Sequence, residues 1–145
     1  MMTAIIVEDM PQALQVLQSD LAEYCPEVDV IGVAHSVVEA AKQLRQQTPD
    51  ILFLDILLGD GTGFDLLEIF PNLNSRVIFV TASDEYAVRA FRFAAVDYLL
   101  KPVEPVLLRA AVDRAKTQLS HPAESLDLLK ETIRRPEVLP RRISL

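Results

Sequence analysis

Hydrophobic and polar positions alternate in blocks along the first hundred residues of the chain. Five short runs rich in β-branched and apolar residues predict strands, at positions 3–7, 28–34, 50–55, 76–81 and 96–100. Most of these runs are continuously apolar, which is typical of strands that are covered on both faces. The pattern therefore indicates a buried, parallel sheet.

Apolar residues at helical spacing separate the predicted strands. They recur every three or four positions through residues 14–24, 37–44 and 108–119. Ser36 and Glu39 have the spacing of a capping box, and Ser83 or Asp84 is a candidate N-cap for a helix through residues 87–91. Strand and helix thus alternate five times, which predicts a doubly wound α/β fold with right-handed crossovers.

The composition is that of one globular domain with a short appendage. The chain has 145 residues, of which 50% are hydrophobic and 24% are charged. The sequence shows neither a signal peptide nor a run near the roughly 18 apolar residues of a membrane span. We therefore expect a cytoplasmic protein that does not contact a membrane.

Charge and cysteine content narrow the ligands that this chain could hold. A net charge of −7 argues against binding to nucleic acid by this chain and favours a cation as ligand. Cys25 is the only cysteine, so an internal disulfide is excluded.

The character of the sequence changes after residue 120. Three prolines, at positions 122, 136 and 140, fall in the last 25 residues, whose charges nearly balance. This composition predicts a domain over residues 1–120, followed by a linker or tail over residues 121–145 with one helix near residues 123–135.

Polar residues stand at the carboxyl ends of four predicted strands. They are Glu8, Asp9, Asp55, Thr81 and Lys101. Ligands of open α/β sheets bind at this edge, and a flavodoxin-like strand order of 2-1-3-4-5 would bring the three carboxylates together. Like charges that close favour a bound cation, and a donor set of oxygens alone suits Mg²⁺.

The same edge offers the groups that phosphoryl transfer requires. Asp55 is placed to act as a nucleophile that forms an acyl phosphate. Lys101 supplies a positive charge and Thr81 a hydroxyl donor for the phosphoryl oxygens. The strand ends therefore predict a site for phosphoryl transfer.

Residues 3–119 resemble the receiver domain of bacterial two-component response regulators. The resemblance is carried by the motifs VED at 7–9, FLDILLGDGTGFDLL at 53–67, FVTAS at 79–83 and DYLLKP at 97–102. It implies a flavodoxin-like (βα)5 sandwich that signals through phosphorylation of Asp55. It also implies that Glu8, Asp9, Asp55 and the backbone carbonyl of Leu57 bind Mg²⁺.

The resemblance implies further roles for three residues. Thr81 matches the switch hydroxyl, Tyr98 the switch aromatic side chain, and Lys101 the lysine that pairs with the phosphoryl group. The peptide bond between Lys101 and Pro102 is expected to be cis, as it is in the family.

The resemblance also implies partners. A sensor histidine kinase would supply the phosphoryl group, and a homodimer through the fourth helix, fifth strand and fifth helix would be the output. Residues 85–102 are most similar to the subgroup in which a LytTR-type DNA-binding domain follows the receiver. Residues 141–145, RRISL, resemble the first strand of that domain. We therefore expect such a domain to follow this chain and transcription to be the output.

A phosphatase of the haloacid dehalogenase type is the alternative, because it also uses an aspartate that ends a strand. That chemistry needs a second acid two residues later to protonate the leaving group. Leu57 stands at that position, so we expect a regulator and not an enzyme.

Structural roles explain other candidates in the sequence. Phe91 and Phe93 are expected to pack in the core, while Arg89 and Arg92 are expected to face solvent. Capping of helices accounts for Asp60 and Asp65. Tyr98 remains open to an ordinary core role.

Overall fold

The computed structural model describes residues 1–120. The predicted tail helix and the expected start of a DNA-binding domain lie outside the described residues. In chain order the elements are β1 Met2–Val7, α1 Pro11–Tyr24, β2 Val28–Ala34, α2 Val37–Gln46, β3 Ile51–Leu54, β4 Leu57–Leu58, β5 Gly61–Thr62, α3 Gly63–Ile69, β6 Arg76–Thr81, α4 Ala87–Arg92, β7 Asp97–Leu100 and α5 Pro105–Ser120.

Five strands form a parallel sheet in the order β2-β1-β3-β6-β7. Counted along the chain as sheet strands one to five, this is the predicted flavodoxin-like order 2-1-3-4-5, which is thereby confirmed. The short strands β4 and β5 pair with each other outside the sheet. Sequence reasoning missed this small hairpin because each of its strands has only two residues.

The sheet is covered on both faces, which explains why its strands are continuously apolar. One core cluster packs α2, α3 and α4 against the sheet, and the other packs α1 and α5 against the opposite face. Along β1 the side chains alternate between them, with Ile5 and Val7 on one face and Ala4 and Ile6 on the other. Full burial of each large apolar side chain stabilises the fold by about 1.5–3 kcal/mol.

Two helices begin with the side-chain caps that the sequence indicates. Ser36 Oγ accepts a hydrogen bond from the Glu39 N–H at 3.1 Å at the start of α2. Thr62 and Asp65 form a capping box at the start of α3, with hydrogen bonds of 2.9 and 3.2 Å. The predicted capping role of Asp65 is confirmed.

Asp60 caps a helix from outside that helix. Its two carboxylate oxygens accept hydrogen bonds from the N–H groups of Val37 at 2.8 Å and Val38 at 3.1 Å. These bonds lower the pKa of Asp60, with the bond from Val37 as the largest cause. The loop after β3 is thereby fixed to the start of α2.

The predicted N-cap of α4 is wrong. The helix begins at Ala87 and its N-cap, Tyr86, makes no side-chain cap hydrogen bond. The Ser83 hydroxyl instead accepts a hydrogen bond from the Glu85 N–H at 3.4 Å, so the preceding residues form a local turn. Serine and aspartate favour such turns as readily as helix starts.

A non-glycine residue in the left-handed region ends α4. Ala94 has a φ of 58°. Its N–H donates to the Phe91 carbonyl at 3.0 Å, and the Ala95 N–H donates to the Ala90 carbonyl at 3.4 Å. This is the hydrogen-bond pattern of a Schellman motif, in which glycine usually occupies the position that Ala94 fills here.

Candidate functional site

Three acidic side chains meet at the carboxyl edge of the sheet. Glu8 and Asp9 follow β1, and Asp55 follows β3, the neighbouring strand. Val7 pairs with Leu54 in the register of these strands, so the acids that follow lie side by side. Oxygens of the three carboxylates all lie within 4.8 Å of one another.

Asp55 is buried and held on both oxygens. Its own N–H donates to the Val7 carbonyl at 3.0 Å. Its Oδ1 accepts from the Ile56 N–H at 2.7 Å, and its Oδ2 accepts from Lys101 Nζ at 2.8 Å. The side chain is only 5% exposed, so its orientation is fixed at the edge of the sheet.

Lys101 bridges the first and third strands. Its ammonium group forms ion pairs with both Asp55 and Glu8. Burial alone would lower the pKa of Lys101, but the hydrogen bonds to Asp55 and Glu8 outweigh burial and raise it. The bond between Lys101 and Pro102 is cis, as the resemblance implied.

The charge of the cluster is not balanced by Lys101 alone. Burial raises the pKa of Glu8 to about 7, and the negative charge of Asp55 adds to this effect while the hydrogen bond from Lys101 opposes it. A buried cluster with excess negative charge and oxygen donors only fits a small, hard cation such as Mg²⁺. The carboxylates of Glu8, Asp9 and Asp55 provide such a donor set.

The two predicted switch residues lie on neighbouring strands. Thr81, which is 1% exposed, ends β6, and its hydroxyl lies 3.5 Å from the Ser83 N–H that donates to it. Tyr98 on β7 is buried, and its hydroxyl donates to the Ser83 carbonyl. Burial is the main cause that raises the pKa of Tyr98 to about 12. Both residues therefore contact the same short segment before α4.

The structure brings four predicted residues into direct proximity, namely Glu8, Asp9, Asp55 and Lys101. Thr81 ends the strand beside β3, while Tyr98 is turned toward Ser83. The Leu57 carbonyl stays a predicted ligand. The Leu57 side chain is 51% exposed and offers no acid, which is unfavourable for the dehalogenase-type alternative.

Gly63 belongs to the site, and its close contact with Asp55 was not predicted from the sequence. A Cβ at this position would lie 2.5 Å from the Asp55 carbonyl oxygen and 2.9 Å from Leu54 Cγ. The Gly63 N–H also donates to the Ile56 carbonyl at 2.8 Å. The signal in the sequence was the glycine itself, because close backbone approach is one reason to exclude a side chain.

The predicted burial and exposure of the α4 side chains are confirmed, but the prediction omits one contact of Arg89. Phe91 is buried and Phe93 is partly buried against the core, as expected, and Arg92 is exposed. Arg89 is also exposed, but its guanidinium lies 4.3 Å from the centre of the Phe64 ring. Helical spacing cannot reveal this contact because Phe64 belongs to α3.

The sequence matches a known family over most of its length. Residues 4–113 match the response regulator receiver domain. An uncharacterized response regulatory protein of Vibrio vulnificus is 42% identical over 126 residues, which cover 86% of this chain and 52% of that protein. The sensory transduction protein LytT of Enterococcus faecalis is 40% identical over 120 residues, covering 81% of this chain and 49% of LytT. The chain thus spans about half the length of these relatives.

Solved structures agree with the sequence relatives. The response regulatory domain of protein mrkE from Klebsiella pneumoniae superposes with a TM-score of 0.74 at 29% identity, covering 80% of this chain and 96% of that one. The REC domain of AraT from Geobacillus stearothermophilus gives a TM-score of 0.72 at 26% identity, covering 82% and 95% of the two chains. This chain belongs to the family of response regulator receiver domains of two-component signal transduction systems.

Proposed function

We propose that Asp55 accepts a phosphoryl group from a sensor histidine kinase in a Mg²⁺-dependent reaction. The observation that carries this proposal is the buried Asp55 carboxylate, which pairs with Lys101 at 2.8 Å inside a cluster of three acids. Receiver domains of response regulators are phosphorylated by sensor histidine kinases. Glu8, Asp9, Asp55 and the backbone carbonyl of Leu57 would hold the ion.

The transfer is a displacement at phosphorus. An Asp55 oxygen attacks the phosphorus atom of the phosphohistidine, the P–N bond breaks, and the imidazole leaves with the electron pair and takes up a proton. The Ile56 N–H orients the nucleophile. Lys101 pairs with the phosphoryl oxygens as the phosphoryl group is transferred to Asp55. Neutralisation of charge between the carboxylates and the phosphoryl oxygens is the chemistry that bound Mg²⁺ supplies.

The new phosphoryl group changes what Thr81 and Lys101 can bind. The Thr81 hydroxyl is one strand away from Asp55 and can donate to a phosphoryl oxygen. Such a movement would disturb the hydrogen bond that Ser83 makes with Thr81, and with it the segment that Tyr98 holds. Thr81 and Tyr98 are thereby proposed as the switch.

Exposed apolar side chains next to the acidic residues support a protein as phosphodonor. Met10 is 57% and Leu57 is 51% exposed, directly after Asp9 and two residues after Asp55. A cavity of about 330 Å³ continues from Lys101 and Pro102 along α1, where Ala13 contributes to its lining. Large exposed apolar groups around a charged pocket are typical of a protein-binding surface.

We propose a switch rather than an enzyme as the role of this domain. Phosphorylation would favour a homodimer through α4, β7 and α5. We propose residues 1–120 as the receiver and residues 121–145 as a linker or tail, and a LytTR-type domain after them would bind DNA and control transcription. We place the reaction in the cytoplasm, the usual setting of receiver domains.

DNA binding is assigned to that further domain and not to this chain. Residues 1–120 contain 9 lysines and arginines against 17 aspartates and glutamates, and such a surface repels phosphates. No helix within residues 1–120 could cross a bilayer.

The test is intact-mass measurement after incubation with acetyl phosphate and Mg²⁺. We expect one added phosphoryl group, which chelation of Mg²⁺ or the substitution Asp55→Asn abolishes. Asp84→Asn is the matched control, because Asp84 is an exposed aspartate near the same edge of the sheet. An adduct that persists in Asp55→Asn would place the phosphorylation site elsewhere.

A further inference from the structure

The Phe64 ring lies beneath α4 and contacts its inner side at several points. Its centroid is 6.1 Å from that of Tyr86 and 5.3 Å from that of Phe93. The Arg89 guanidinium carbon lies 4.3 Å from the same ring centre. Positions 86, 89 and 93 are spaced by three and four residues, so they share one face of the helical segment.

Arg89 holds the two helices together from the solvent side. Its guanidinium lies over a ring of α3 and forms an ion pair with Glu68 of α3 at 3.8 Å. The Glu68 and Arg89 side chains are 60% and 49% exposed, so water weakens their ion pair. The guanidinium also contacts the buried Phe64 ring, and this contact does not require Glu68.

Local interactions determine the position of α4 only weakly. The helix has six residues and no side-chain cap at its start, and Ala94 ends it with a positive φ. A helix this short is marginal without tertiary packing. Its placement consequently depends on tertiary contacts. These are the packing of Ala87 and Ala90 in the core, the Tyr98 hydroxyl at the Ser83 carbonyl, and the Phe64 ring.

Phe64 is tied directly to the phosphoacceptor loop, which comprises residues 55–62 between β3 and α3. The preceding residue, Gly63, leaves no space for a Cβ against the Asp55 carbonyl and donates a hydrogen bond to the Ile56 carbonyl. A movement of the backbone at Asp55 must therefore displace the start of α3. Phe64 also packs on Phe79, with 5.3 Å between the ring centroids, and Phe79 packs on Tyr98, with 6.2 Å between theirs.

We propose that Phe64 and Arg89 couple the phosphoacceptor loop to α4 by a route that does not pass through Thr81. This inference rests on the proposed phosphorylation of Asp55. In this route the loop moves the start of α3, and the contact between Phe64 and Arg89 moves α4 with it. Arg89 is a positioning residue here, and a solvent-exposed cation–π contact of this kind shifts a conformational equilibrium by about twofold to fivefold.

The experiment measures amide chemical shifts of residues 87–92 with and without acetyl phosphate and Mg²⁺, at a concentration at which the protein is monomeric. In Thr81→Val, which removes the hydroxyl that accepts from the Ser83 N–H, we expect a reduced response of α4 that is still present. Adding Phe64→Leu or Arg89→Gln to Thr81→Val should remove most of that remainder, and Arg89→Lys should restore part of it.

Two variants serve as controls for general effects of charge. Arg92→Gln removes an exposed arginine from the same helix, and within residues 1–120 Arg92 makes no cation–π contact. Glu68→Gln removes the exposed ion pair but leaves the ring contact intact. Both variants should retain the full response of α4, and urea unfolding confirms that each variant is folded.

Intact mass measured on the same samples separates the two proposals. A phosphoryl adduct together with an α4 response that Phe64→Leu and Arg89→Gln leave unchanged would overturn the coupling route alone. Complete loss of the response in Thr81→Val by itself would do the same. Absence of any adduct would overturn the proposed function and this inference with it.

Discussion

Ala94 is a residue whose backbone conformation conflicts with its side chain. An L-residue in the left-handed region costs roughly 1–2 kcal/mol, while glycine loses more conformational freedom on folding by about 0.5–1 kcal/mol. We therefore expect Ala94→Gly to raise the free energy of unfolding by about 0.5–1 kcal/mol, measured by urea denaturation.

An alanine in ordinary helical conformation provides the control for Ala94. Ala110 is exposed within α5, where glycine should lower the free energy of unfolding by about 1 kcal/mol. A destabilising effect of Ala94→Gly similar to that of Ala110→Gly would contradict the account of the end of α4.

Leu57 and Ser83 are expected to slow the loss of the phosphoryl group from Asp55. The acyl phosphate is hydrolysed when a water attacks in line, and that water must be oriented by polar groups. The resemblance places these two residues on either side of its approach, where leucine cannot hydrogen-bond and the serine hydroxyl is short. Leu57→Asn and Ser83→Glu should each increase the dephosphorylation rate severalfold. The rate is measured as the decay of the phosphoryl adduct in intact-mass spectra.

The native protein and Val38→Asn provide the references for that rate. Val38 is an exposed apolar residue of α2, so the substitution tests what an added amide group on the surface does by itself. Unchanged decay in both Leu57→Asn and Ser83→Glu would show that these positions do not control hydrolysis.

At the scale of elements, the sequence predicts the five sheet strands because their continuous apolar runs reflect burial on both faces. It fails at α4, where Ser83 and Asp84 form a turn instead of the cap that the same residue types would also allow. It also misses the hairpin of β4 and β5, since two-residue strands leave no periodic signal.

The candidate site could likewise be predicted from the sequence only in part. The acids and Lys101 could be located because strand order alone determines which strand ends are neighbours. The contact of Arg89 with Phe64 could not be predicted, because it depends on how α3 and α4 pack and not on spacing within either helix. Contacts between side chains of different helices leave no periodic pattern in a single sequence.

Arg109 connects α5 to the end of α1 and to the segment before β2, and acid should weaken its ion pair with Glu27. This side chain of α5 forms ion pairs with Glu27 and Asp113 and donates to the Tyr24 carbonyl at 2.9 Å, at the end of α1. The hydrogen bond from Arg109 is the main cause that lowers the pKa of Glu27 from 4.5 to about 2. The connection therefore stabilises the fold fully above pH 4.5 and is lost as the pH falls toward 2.

We expect Glu27→Gln to lower the free energy of unfolding by about 1 kcal/mol at pH 7, because the ion pair is partly exposed. The difference from the native protein should vanish as the pH falls from 4.5 toward 2, measured by urea denaturation at a series of pH values. Glu23→Gln is the control, an acidic residue on the exposed side of α1. A constant difference across this pH range would contradict the assignment.

For the whole molecule, phosphorylation should change the state of association. The proposed face includes the exposed Val88 of α4 and a small cavity of about 80 Å³ lined by Leu107, Ala110 and Arg114 of α5. Sedimentation analysis should show a dimer after incubation with acetyl phosphate and Mg²⁺ that Val88→Asp prevents, because a carboxylate would be desolvated in the interface.

Val38→Asp is the matched control for this experiment. Val38 on α2 is 57% exposed and Val88 is 56% exposed, but they lie on different helices. A dimer that is equally resistant to both substitutions, or equally sensitive to both, would place the interface elsewhere.

The site is assembled from residues that are far apart in the sequence. Glu8 follows the first strand, Asp55 the third, and Lys101 the last, and the first strand acquires its second neighbour only when β3 pairs with it. A chain that is still being synthesised, or one that has unfolded, therefore has no pocket that could intercept phosphoryl groups. Under the proposed function, the capacity for phosphorylation would report whether the domain is completely folded. Destabilising substitutions far from Asp55 would then reduce phosphorylation in proportion to the unfolded fraction.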